Sequence, residues 1–115
     1  MSADIVFGDN PDQIWSARSW YFEELMRRAS GHCTNVAATE ALRIAAEAGF
    51  LFMEEFEVPL RKELCNAVAT AGRDLLAALS PAEPFAAQEA EGLQRVIALA
   101  EQCAGDVGSA ASQYG

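Results

Sequence analysis

Pro11, Pro59 and Pro81, with Gly31 and Gly105, mark off stretches in which the apolar residues recur with a helical period. Proline opens a helix without cost in its first turn, and glycine closes one by taking the left-handed conformation. Such spacing divides the chain into segments of about 20 residues, each roughly 30 Å long as a helix. Strand-like alternation of useful length is not evident, and alanine is abundant where β-branched residues are sparse. The expected fold class is therefore all-α, a four-helix up-down-up-down antiparallel bundle, with a short N-terminal extension and a flexible C-terminal tail.

The expected helices span residues 11–30, 36–56, 59–79 and 81–104 of a single domain covering 1–115, with the tail at 105–115. Asn10, Pro11 and Gln13 form a capping signal for the first, and Ser80-Pro81-Ala82-Glu83 forms one for the fourth. Pro59 forces either a reversal or a kink between the second and third. On the third helix Leu60, Leu64, Val68, Ala71, Leu75 and Leu79 share one face. The fourth offers Phe85, Leu93, Val96, Ala100, Cys103 and Val107. The second presents Ala38, Ala41, Ala45 and Gly49, small residues that complement Trp15, Tyr21, Phe22, Leu25 and Met26 of the first.

Two charges break this pattern. Arg18 falls within the apolar face of the first helix and Glu89 within that of the fourth. In an up-down bundle these helices are neighbours, and the two residues lie at similar heights. A structural ion pair between Arg18 and Glu89 is expected, with snorkelling of both side chains as the alternative. Large apolar residues also appear among polar ones: Trp20 on the first helix, Phe50 and Leu51 on the second. Several together mark a contact surface.

Seventeen acidic residues against eight basic ones give a net charge of −9. That field repels nucleic acid and anionic membranes and attracts basic partners. No stretch approaches the roughly 20 apolar residues of a membrane-spanning helix. Cys33, Cys65 and Cys103 are odd in number and widely spaced, which points to a reducing, cytoplasmic setting rather than a disulfide framework. Neither the lone histidine, His32, nor the cysteine spacing suggests a metal site, and no cofactor motif is present, so metal and cofactor are both expected to be none.

The favoured function is a small acidic helical protein-interaction module without enzymatic activity. It would be an adaptor, an assembly or secretion chaperone, or an immunity-type inhibitor. Trp20, Phe50, Leu51, Glu47, Glu54, Glu55 and Glu57 would carry the contact, to a basic protein partner or to a second copy in a homo-oligomer. One motif offers an alternative. Arg27-Arg28-Ala29-Ser30-Gly31-His32 places four residues between an arginine and a histidine. The run resembles the R-x4-H motif of HEPN-type ribonucleases, which are small helical bundles. The resemblance implies metal-independent RNA cleavage at a dimer interface, with Arg27 and His32 in the active site.

Overall fold

The computed structural model of the chain describes residues 2–114, with side chains described through residue 105. It overturns the all-helical bundle: four helices pack with a three-stranded mixed sheet, giving an α+β fold. In chain order the elements are β1 (Ser2–Val6), β2 (Ile14–Arg18), α1 (Ser19–Ser30), α2 (Val36–Ala48), β3 (Phe50–Phe52), α3 (Val58–Ala78) and α4 (Ala86–Tyr114). The sheet order is β2-β1-β3, with β1 antiparallel to β2 and parallel to β3.

The expected N-terminal extension is thus the central strand. Ala3, Ile5 and Phe7 are buried at every second position, the period of an extended chain with one covered face. Register places Ile5 between Trp15 of β2 and Leu51 of β3. None of these three residues is more than 3 % exposed. They form a continuous apolar row under the helices.

The first helix starts eight positions later than expected, because its capping signal closes something smaller. The Asn10 backbone N–H does donate to Gln13 Oε1, at 3.2 Å. Gly8 leaves room for that amide, which a Cβ there would strike. Yet the motif caps only a single 3₁₀ turn, Pro11–Gln13. The β-branched Ile14 and aromatic Trp15 then gain more from pairing with β1 than from continuing a helix.

The second helix, expected to reach residue 56, stops at Ala48. Gly49 adopts φ 85°, a left-handed conformation that closes the helix, and its N–H donates to Ala45 O at 2.8 Å. Reading Gly49 as one more small residue on a helix face is therefore corrected. The chain beyond it turns extended as β3. Pro59 produces neither the kink nor the direct helix reversal considered above. It sits in the first turn of α3, which follows β3 and a 3₁₀ turn at Met53–Glu55.

The fourth helix begins at Ala86, five residues later than expected. Ser80 accepts from Ala82 N and Glu83 N within a turn, and Pro84 disfavours helical geometry in the residue before it. The helix runs on through Tyr114 in place of the flexible tail expected from residue 105. The side chain of Val107 and all of Gly115 lie outside the described residues.

Helix neighbours differ as well. The largest helix pair is α3 with α4, while α1 packs on α2 and α3. Phe22, Leu25, Leu42, Leu64, Val68, Leu93 and Val96 meet in one core with Ile5 and Met53. Two polar ties bind α4 to β2. The Trp15 indole N–H donates to Gly92 O at 3.0 Å, and Arg95 donates to Ile14 O and Asp12 O.

A central strand and a dispensable extension differ measurably. Ile5 is fully buried, so Ile5→Ala should lower the unfolding free energy by about 2–5 kcal/mol. Urea titration by circular dichroism checks this; a change within about 0.5 kcal/mol would mark residues 2–6 as peripheral.

Candidate functional site

Two clefts gather exposed apolar residues, one Ile44, Phe50 and Phe52 and the other Trp20 and Phe85; the exposed Val36 and Val58 stand outside both. The first is a groove between α2 and β3, enclosing about 420 Å³. Its outer residues are Ile44, 54 % exposed, Phe50, 50 % exposed, and Phe52, 39 % exposed. Three alanines of α2, Ala41, Ala45 and Ala48, leave the hollow between them. The Phe50 and Phe52 rings lie 5.3 Å apart. Leu51, expected as a contact residue alongside Phe50, points the other way and forms the floor. Three consecutive residues in a strand cannot share a face, whereas a helical reading left Phe50 and Leu51 on the two flanks of one polar stripe.

Backbone geometry adds to this groove. Asp4 lies opposite Phe50 across the parallel pair, and its N–H donates to Gly49 O at 3.2 Å. In a parallel ladder that bond sets the phase: Gly49 and Leu51 face β1, and the main-chain groups of Phe50 and Phe52 face outward. Since β3 is an edge strand, those groups line an open edge beside the groove.

Acidic side chains rim it. Glu40 and Glu55 line the groove, and Glu47, Glu54 and Glu57 are exposed nearby. Arg43 pairs with Glu40 and, at 3.8 Å, with Glu47. Its hydrogen bond holds the Glu40 carboxyl below the usual carboxylate range. Glu54, Glu55 and Glu57 form no ion pair among the described residues. Arg61 instead donates to Phe56 O at 2.9 Å and pins the turn beneath them.

The second surface is a cleft of about 550 Å³ between the end of β2 and the starts of α1 and α4. Trp15, Arg18, Trp20, Tyr21, Phe85 and Glu89 line it. Trp20 therefore does not join Phe50 in one patch; the two clefts share no residue. The expected Arg18–Glu89 ion pair does not form among the described residues. Its premise was a helix running from residue 11, and Arg18 is instead the last residue of β2 and the N-cap of α1. Both charges nonetheless reach the same cleft. Phe85, expected in the core, is 71 % exposed here, because α4 begins after it.

The remaining candidates are separate. His32 Nε2 lies 2.6 Å from Asp74 Oδ2 on α3, while Arg27 pairs with Glu23 along α1. Arg27 does not line the shallow cleft that His32 borders. No group of three possible metal ligands occurs among the described residues. Cys65 and Cys103 meet in the core, where a hydrogen bond between them and then burial push the Cys65 thiol up. Burial, and secondarily Glu63, push the Cys33 thiol up to about 11.

The sequence signal for Phe52 was the glycine before an aromatic-aliphatic-aromatic run; for Phe85 it was the proline just ahead of it. A thiol raised to about 11 is almost wholly protonated at pH 8. Iodoacetamide should thus modify Cys33 in the folded chain about 100-fold more slowly than free cysteine, accelerating about tenfold per pH unit up to that value. Peptide mass mapping over time checks this, and urea should restore the ordinary rate.

No family model matches the chain, and no curated protein or solved structure matches it either.

Proposed function

We propose that the chain is a non-enzymatic protein-interaction module that captures a basic, apolar-bearing segment of a protein partner in the groove between α2 and β3. One observation carries this reading: Ile44, Phe50 and Phe52 stand exposed beside an open strand edge, inside an acidic rim. The apolar residues supply buried area, the β3 edge supplies main-chain hydrogen bonds, and alternate side chains of an added strand reach the hollow. The carboxylates select a cationic segment and speed its encounter. An adaptor, an assembly chaperone and an immunity-type inhibitor all need such a surface.

Charge favours a foreign partner over a second copy. Two chains of −9 would bring their glutamates together at this edge, whereas a basic segment neutralises them. A reducing, cytoplasmic setting belongs to the same proposal and is supported by three cysteines in thiol form. No helix among the described residues is long and apolar enough to cross a membrane.

The test places the photoreactive residue p-benzoylphenylalanine at Phe50 in the full chain, in its native host, with the exposed Gln94 as control position. A discrete adduct is expected from Phe50 alone. It should fall about tenfold when Glu54→Lys and Glu55→Lys are added, and weaken similarly in about 0.5 M salt. An adduct with twice the chain's mass would replace the foreign partner by self-pairing. Equal adducts from both positions would remove the groove from the interaction.

A further inference from the structure

The aromatic cleft between β2, α1 and α4 is independent of the groove and has a chemistry of its own. Its volume of about 550 Å³ falls among small-ligand sites, roughly 300–1,000 Å³. Three features set it apart from ordinary surface.

Phe85 has φ 67°, the one non-glycine residue with positive φ among the described residues. A bulky side chain makes that conformation costly. The cost is not offset by burial, since the ring is 71 % exposed. Residues held in such strained conformations cluster at active sites, ligand clamps and switch regions. Trp20, on α1, lines the same cleft and is a second exposed aromatic side chain. It is 61 % exposed and stands edge-on to Tyr21 at 5.3 Å.

The third feature is charge. Elsewhere on α1 the arginines are satisfied locally, Arg27 by Glu23 and Arg28 by Glu24. Arg18 and Glu89 share one cleft, yet neither forms an ion pair among the described residues. A purely apolar ligand would strip water from both charges without replacing it. A simple cation would meet Arg18 as a like charge, and a simple anion would meet Glu89.

We infer that this cleft binds a small zwitterion of amino-acid type, its ammonium against Glu89 among the rings of Trp20, Tyr21 and Phe85 and its carboxylate on Arg18. Electron-rich ring faces attract an organic cation, and the guanidinium fork matches a carboxylate. The Tyr21 hydroxyl stays protonated, because burial and then Glu89 push it above its ordinary range. It remains a hydrogen-bond donor.

Titrations of the full chain, followed by tryptophan fluorescence and calorimetry, test this. Two probes represent the two sources of a zwitterion: L-phenylalanine, with a primary ammonium, and glycine betaine, with a methylated one. Saturable binding of at least one is expected, and which one binds identifies the ammonium type. If phenylalanine binds, its amide, lacking the carboxylate, and its N-acetyl form, lacking the ammonium, should each bind about tenfold more weakly. For whichever zwitterion binds, Glu89→Gln and Arg18→Gln should each weaken it by a similar factor while circular dichroism stays unchanged. If betaine alone binds, tetramethylammonium should be weaker on the wild type and indifferent to Arg18→Gln. No saturable signal from either zwitterion up to about 50 mM overturns the inference, as does binding that ignores both substitutions.

Discussion

Burial of β1 on both of its edges is the constraint on which the remaining structure depends. Its main chain must find partners on two sides, and it finds β2 on one and β3 on the other. Neither outer strand would persist without it, since β3 has three residues and β2 five. The row Trp15–Ile5–Leu51 then supplies the apolar reason for the sheet to lie against the helices. The two surfaces follow from this arrangement. Phe50 and Phe52 are displayed because Leu51 is anchored to Ile5. Arg18 and Trp20 border the second cleft because β2 ends just where α1 begins. A strand spacing of about 4.8 Å sets the two outer strands roughly 10 Å apart.

Surface electrostatics contribute a field more than stability. The pairs Arg27–Glu23, Arg28–Glu24 and Arg43–Glu40 run along single helices, and Arg73–Glu101, at 2.9 Å, joins α3 to α4. All are exposed, so screening by water leaves each with little to add to stability. Their effect is to engage half of the eight basic residues in local pairs, leaving the glutamates after β3 as an uncompensated acidic rim. A net charge of −9 is thereby concentrated, in part, where the chain also exposes apolar side chains.

Much of the helical core was legible because it depends on long periodic stretches. Leu64, Val68 and Ala71, and Leu93, Val96 and Ala100, are buried where their period places them. The sheet was not legible, for a physical reason. Its strands are short, and over five residues a helical and an extended pattern cannot be separated. Capping motifs misled in the same way: Asn10 with Gln13 and Ser80 with Glu83 do make local bonds, but a bond over three residues closes a turn as readily as it opens a helix. Gly49 carried the decisive information. A glycine followed by Phe-Leu-Phe is a helix stop and a strand, and reading it as a small helix residue hid both β3 and the groove. Arg18 and Glu89 were identified as anomalous charges and do share a cleft, although the ion pair assigned to them depended on a helix that is not there.

The two edges of the sheet are treated differently, and this asymmetry bears most directly on function. An unpaired strand edge invites association, and proteins commonly cover it, shorten it or flank it with charge. At β2 one main-chain carbonyl is engaged from α4: Arg95 donates to Ile14 O, and to Asp12 O in the turn before it, while the Trp15 side chain is tied to Gly92 O. At β3 no such cover appears among the described residues. Protection there comes from length and charge alone, three residues followed by Glu54, Glu55 and Glu57. Like charge of that kind repels a second acidic chain and does nothing to repel a basic one.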